Sequence, residues 1–329
     1  MPLTAHGFDS RAIHSEIQLL IDGLVNIKDE TGEFLMTLAD GRVIDTKGWN
    51  DWEWTHGVGL YGIWHYYQTT GDAKYLQIIE DWFQDRFAAG GTTKNINTMA
   101  AMLTLAYVYD ETKNPTYFLW LDSWAEWAYH DLERTKYGGM QHITYLEDND
   151  QQLWDDTLMM TVLPLAKIGL VLDRPHYVKE AKYQFLLHIQ YLFDSKTGLF
   201  FHGWCFNDGG HNFASARWAR GNSWLTIVIP EMLELLELAS DDPATAGFAF
   251  GLLKGQRKHY LEKGYQDIAF KAIQGVLNDI DSTGQLLTTS FGTGMGSDLE
   301  FYKKIPVTPM PYGQAMAILA LVELLKIFI

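Results

Sequence analysis

Apolar residues recur along this chain mainly at the helical interval. Ile13, Ile17, Leu20, Ile21 and Leu24 fall at i, i+3 and i+4 spacing, as do Met102, Leu105, Ala106 and Tyr109. Ile227, Met232, Leu235, Leu236 and Leu238 follow it more loosely. Such spacing lays one apolar stripe along a helix. Period-two runs are few and short, the clearest being Glu33–Thr37 and Leu286–Thr289. The pattern predicts roughly ten to twelve helices of about 15–20 residues, joined by polar loops.

A short cassette punctuates these helices. It reads Thr70-Gly-Asp-Ala-Lys-Tyr75, then Thr112-Lys-Asn-Pro-Thr-Tyr117, then Leu172-Asp-Arg-Pro-His-Tyr177, with a weaker copy at Ser240-Asp-Asp-Pro243-Ala. A turn residue caps the next helix, Ala or Pro stands where no N–H is needed, and the tyrosine anchors the new helix. Tyr75 and Tyr117 are one two-helix hairpin apart, whereas Tyr177 follows an insertion around Tyr137–Asp150. Repeating hairpins of this length leave an open solenoid or a closed toroid of inner and outer helices. The loops Gly41–Gly59, Thr135–Gln152, Thr197–Arg217 and Gln285–Pro311 are too long and irregular for a uniform solenoid. The expected fold is therefore all-α, an (α/α)6 barrel with those loops gathered at one mouth. No linker or composition shift divides the chain, so residues 1–329 read as one catalytic domain, against a length prior of about two.

Composition narrows the chemistry. There are 25 basic and 41 acidic residues, a formal net charge of −16. This excludes the basic footprint that nucleic acid or an anionic membrane needs. One cysteine, Cys205, excludes an intrachain disulfide and any cysteine-based metal site. The N-terminal residues lack the basic and apolar regions of a secretory leader, and the apolar run near the C-terminus is interrupted by Glu323 and Lys326. A cytoplasmic protein is expected. No H-E-x-x-H, clustered-histidine or G-x-S-x-G pattern occurs, and Gly292-Thr-Gly294-Met-Gly296 lacks the strand and lysine of a phosphate loop. No metal and no cofactor are expected. What stands out is 12 Trp, 17 Tyr and 17 Phe, 14% aromatic residues. Such flat surfaces with a polar edge suit sugar rings.

The polar candidates lie among those aromatics. Gln151-Gln-Leu-Trp154-Asp-Asp156-Thr-Leu-Met-Met opens a helix, with Pro164 inside it. Adjacent aspartates diverge by about 100° on a helix, so one alone faces a given site. Trp154 would point about 200° away from Asp156 unless the segment around it is still a loop. Acids at a helix start also simply favour its dipole. Ala216-Arg217-Trp218-Ala-Arg220-Gly-Asn222-Ser-Trp224 puts two arginines, an asparagine and two tryptophans in one short stretch. Gly198-Leu-Phe-Phe-His202-Gly-Trp204, Gly139-Met-Gln-His142 and Trp49-Asn-Asp-Trp52-Glu-Trp54-Thr-His56 complete the set. Each tryptophan could equally be core, each arginine a surface ion pair, and each histidine structural. Their clustering favours a carbohydrate site.

Together these segments resemble glycoside hydrolase family 105, the unsaturated rhamnogalacturonyl hydrolases, and more distantly family 88, the unsaturated glucuronyl hydrolases. The resemblance runs from about Trp49 to Leu325. It implies an (α/α)6 barrel and places the catalytic acid at Asp156, within Trp154-Asp-Asp156-Thr-Leu-Met. It carries substrate-binding roles to His142, Trp154, His202, Trp218 and Arg220, and a position that can be aspartate falls on Asn97. Asn222 and Trp224 join them by proximity.

The implied reaction is hydration of a vinyl ether. Polysaccharide lyases leave a non-reducing uronate with a C4=C5 double bond. Protonated Asp156 delivers its proton to C4, water adds at C5, and the hemiketal opens to release the rest of an unsaturated oligosaccharide. One cycling carboxylate suffices, and burial should raise its pKa. Local Arg220, Arg217, His142 and His202 must draw the uronate against the net charge, which screening beyond about 8–10 Å permits. Elimination erases the difference between galacturonate and glucuronate, so specificity lies in the linkage and the next sugar. The competing readings are a sugar 2-epimerase-like enzyme using His142 and His202, and a non-catalytic carbohydrate-binding helical-repeat module. The oligomeric state stays open.

Overall fold

The computed structural model describes residues 4–236, 249–259, 261 and 265–328. Twelve α-helices carry most of them. In chain order they are α1 (Ser10–Val25), α2 (Trp54–Thr70), α3 (Ala73–Ala88), α4 (Ala101–Thr112), α5 (Pro115–Glu126), α6 (Leu163–Val171), α7 (Pro175–Leu192), α8 (Ala219–Leu235), α9 (Ala249–Arg257), α10 (Gln266–Asn278), α11 (Leu299–Lys303) and α12 (Pro311–Leu325). Strands among the described residues form two-stranded antiparallel ribbons. The described residues of 1–92, 248–291 and 306–329 make one compact unit, those of 93–247 and 292–305 a second.

The cassettes fold as their chemistry requires. Between α2 and α3, Gly71 is left-handed (φ 66°), Asp72 accepts the Lys74 N–H, and Tyr75 is buried. Between α4 and α5, Lys113 takes that conformation (φ 52°), Asn114 accepts the Thr116 N–H, and Pro115 opens the helix ahead of buried Tyr117. Between α6 and α7 it is Asp173 (φ 54°), then Pro175 and buried Tyr177, although Arg174 supplies no side-chain cap. The copy at 240–244 and Leu238 lie outside the described residues.

In the first unit, α1 buries Ile13, Ile17, Leu20, Ile21 and Leu24, the predicted stripe. α2 and α12 approach closely because Gly62 meets Ala315; a methyl at Gly62 would lie 3.1 Å from the Ala315 Cα. The stretch Pro311–Phe328 is apolar and long enough to cross a membrane, yet 83% of it is buried inside the protein. It is a core helix. The aromatic loop before α2 is also structural. Trp52 packs on Trp82 and Phe87, and Glu53 and His56 cap α2 reciprocally, with the His56 Nε2 donating to the Gly48 carbonyl.

Two local expectations change. Leu35–Thr37 is a strand, paired with Val43–Asp45. The run 286–289 forms one isolated bridge, Leu286 with Ile280, because side chains take its N–H groups: Gln314 that of Leu286 and Asp279 that of Thr288. In the second unit, Leu158–Val162 winds as a π-turn that leads into α6. Pro164 then falls at the start of α6, where its missing N–H breaks no bond of a regular helix.

Candidate active site

The site belongs to the second unit, and a ribbon of six residues organises it. Gln152–Trp154 pairs antiparallel with Gly203–Cys205, and the Asp155 N–H extends the ladder to the His202 carbonyl at 2.9 Å. Side chains alternate on such a ribbon. Trp204 leaves on one face to pack with Tyr191 and Phe206. Trp154 leaves on the other, opposite Gly203, where a Cβ would meet the Met295 methyl at 2.4 Å. The chain then passes from strand to helix at Asp155. That change of period lets Trp154 and Asp156 serve one site, which a continuous helix forbids.

Asp155 and Asp156 meet opposite fates. Asp155 is sealed, 0% exposed, and neither of its oxygens has a hydrogen-bond partner. It faces the first turn of α8, where a Cβ on Gly221 would lie 2.0 Å from its Oδ2. Asp156 remains 9% exposed. Its Oδ1 accepts the Trp224 indole N–H at 3.1 Å, and its Oδ2 lies 3.4 Å from His202 Nε2. Burial, and then the neighbouring charge of Asp156, pushes the Asp155 pKa well above the ordinary carboxyl range. Burial pushes Asp156 upward too, but His202, with His142 and Arg220, outweighs it and holds that carboxyl below its usual range. The raised acid expected at Asp156 is thus found next door, because Asp155 is sealed from water beside the charge of Asp156.

His202 sits between aromatic surfaces. Its ring centroid is 4.3 Å from that of Trp218 and 5.3 Å from that of Trp154, the latter pair edge to face, and its Nδ1 lies 3.1 Å from the Tyr302 hydroxyl. Burial lowers its pKa. His142 stacks flat on Trp154 at 4.2 Å with its Nδ1 on Thr157 Oγ1, and burial drives its pKa down to about 3. Arg220 opens α8 and lies over the half-buried Trp218 at 4.0 Å. Asn97 stands beside Ile96, whose N–H bonds the Ile143 carbonyl and whose carbonyl accepts from Thr161.

Three sequence expectations are corrected. Asn222 cannot bind a hydroxyl group, because its amide brackets the Phe200 backbone and bonds the Trp218 carbonyl. Trp224 exposes no face for a sugar; it is fully buried and acts through its N–H. Arg217 does not serve the site, since its Nε and Nη2 hold Asp194 at 2.9 and 2.6 Å. Trp154 is nearly covered by His142 and so orders the site's floor. No sequence motif marks Tyr302, whose hydroxyl reaches His202 from a segment a hundred residues on. Asp155, Asp156 and His202 could converge on a cation, with ligand atoms within 4.8 Å of one another. The Trp224 N–H on Asp156 and the Arg220 charge oppose that use.

A model of Glycosyl Hydrolase Family 88 matches residues 26–243 and 239–328. The chain is 25% identical over 316 residues to the unsaturated rhamnogalacturonyl hydrolase YesR of Bacillus subtilis (strain 168), covering 84% of this chain and 90% of that protein. A crystal structure from Salmonella enterica serovar Paratyphi A, described as a possible member of the GH105 family, superposes with TM-score 0.95 at 57% identity, covering 100% and 97% of the two chains. One from Klebsiella pneumoniae, described in the same words, gives TM-score 0.93 at 55% identity over 100% and 96%.

Proposed function

The chain belongs to glycosyl hydrolase family 88, and from that premise we propose that it removes the 4,5-unsaturated uronate from the non-reducing end of lyase-generated oligosaccharides, rhamnogalacturonan fragments foremost. The names of the relatives support the substrate class. The paired helices support the (α/α)6 barrel as the finer description of the fold.

The observation that carries the mechanism is the contrast between one reachable carboxylate and one sealed one. An ordinary glycosidase flanks its bond with two accessible carboxyl groups, about 5–5.5 or 6.5–9.5 Å apart. Asp155 cannot touch a sugar. Hydration needs a single carboxyl group that gives a proton and takes one back. Asp156 protonates C4, and the positive charge at C5 is shared with the ring oxygen. Water adds at C5 and returns its proton to Asp156. The hemiketal opens and the aglycone leaves from C1, so the net change is addition of one water. Asp155 keeps the pair's proton in the resting site, and an incoming uronate raises the proton affinity of Asp156, which takes up one proton from solvent as the substrate binds. Arg220 and Trp218 supply charge and a stacking face beside it, while Asn97, His142, Trp154 and His202 line and order the pocket. His142, at a pKa of about 3 and tied to Thr157, is unsuited to the proton exchange of an epimerase.

The test follows the conjugated-alkene absorbance of lyase-digested pectin, ulvan and glycosaminoglycan fragments. Wild-type enzyme should bleach the pectin-derived disaccharide. Asp156→Asn should slow this by about 10²–10⁴-fold, while Asp155→Asn keeps measurable turnover. The reverse pattern would move the acid to Asp155, and no bleaching with saturable binding would leave a binding module.

A further inference from the structure

We propose that Tyr302 is a positioning residue that fixes His202 as the tautomer with its proton on Nε2, aimed at Asp156; this rests on the reading of Asp156 as the reacting carboxylate. The Tyr302 hydroxyl lies 3.3 Å from the Gly296 backbone nitrogen, 3.1 Å from His202 Nδ1 and 3.5 Å from Met295 Sδ. The Gly296 N–H can only donate, so it occupies an oxygen lone pair. The hydroxyl has one proton to give, either to an imidazole nitrogen or to a thioether, a weak acceptor. Given to Nδ1, it leaves the ring proton on Nε2, 3.4 Å from Asp156 Oδ2.

The opposite assignment turns the Nε2 lone pair on a carboxylate oxygen. Both atoms are sealed from water, and neither has a hydrogen-bond partner. Two acceptors face to face in a dry site are strongly disfavoured. Protonating both nitrogens is opposed as well. The charged and titratable groups around the ring are Asp155 and Asp156 at the helix start, Arg220 from α8, His142 across Trp154, and Tyr302 itself. Burial and Arg220 work against a second proton, and Asp156 works for it.

The proposal gives the glycine-rich segment 292–296 a purpose. A Cβ at Gly296 would lie 2.4 Å from the Phe301 ring. Glycine there lets α11 fold back and bring Tyr302 to the ring. With Trp224 on Oδ1 and His202 Nε2–H toward Oδ2, the Asp156 carboxylate is oriented at both ends.

Nitrogen-15 spectra of the histidine rings test this at neutral pH, with His202→Gln assigning the signal. The expected result is an unprotonated Nδ1 and a protonated Nε2 in the wild-type protein. Tyr302→Phe should mix the tautomers, lower kcat on the order of tenfold with KM little changed, and move the acidic limb of the rate profile upward, since Nδ1 becomes free to accept a proton. A wild-type ring protonated on Nδ1 overturns the proposal. So does a Tyr302→Phe protein with unchanged tautomer and pH profile. The wild-type spectrum decides even where the variant fails to fold. It needs no substrate, so a wrong tautomer is told apart from a failure of the hydrolase reading, which the alkene absorbance reports.

Discussion

Asp155 is the residue whose chemistry the structure changes most. Its folded pKa is raised, so the native protein holds a proton that the unfolded chain has already released. Its stabilising contribution is therefore complete below the ordinary carboxyl pKa and lost as pH rises toward the folded value. Asp155→Asn, a neutral isostere, should match the wild type near pH 4 and gain on it as pH rises, at up to about 1.4 kcal/mol per unit. Urea unfolding at pH 4, 5.5 and 7 reads this; a difference independent of pH would mean Asp155 is ionised in the folded state. Sequence could place Asp156 through its motif but not this division of roles. The angle between neighbours was legible, whereas the Trp224 donor and the nearby His202 ring on one carboxyl and the bare packing of Gly221 on the other arise from segments tens of residues away.

Among elements, what could be read was local. The cassettes announce themselves because cap, left-handed turn and anchoring tyrosine lie within six residues. The ribbon that builds the site does not, since it pairs two runs of three residues nearly fifty positions apart, each too short to show a period. Two glycines on helices show how context, not propensity, decides. Gly275 on α10 is exposed and has nothing within 4 Å of a built Cβ. Gly275→Ala should stabilise by about 0.5–1 kcal/mol through chain entropy. Gly221 on α8 has the same intrinsic preference but abuts the Asp155 carboxyl. Gly221→Ala should instead destabilise by about 1–3 kcal/mol and impair turnover, because the methyl displaces Asp155 or the helix that carries Arg220. Thermal melting of the two variants side by side checks the sign.

At the scale of the whole molecule, the acidic surplus is answered locally. Lys167 pairs with Asp110, Arg217 with Asp194 and Arg257 with Glu323, while the charge of Arg220 acts on the two aspartates of the site. The buried histidines impose a different limit on the second unit. Burial takes His142 to about 3 and His188 to about 4, from an ordinary 6.5. His188 is fully buried, with Nδ1 donating to the Gln184 carbonyl and no partner on Nε2. Both pKa values are depressed, so the unfolded chain takes up protons below 6.5 that the folded protein refuses. Their contribution is intact above 6.5 and falls as pH drops, by about 1.4 kcal/mol per unit for each histidine. Between pH 6.5 and 4 the pair should therefore remove stability at about twice that slope. The protein's paired carboxyl groups, such as Asp110 and Glu323, start to lose theirs only near and below pH 4. His188→Gln should take about 1.4 kcal/mol per pH unit off the slope across that window, while leaving stability at pH 7.5 lower by packing alone. An unchanged slope in the variant, measured by urea unfolding at closely spaced pH, would assign the acid sensitivity elsewhere.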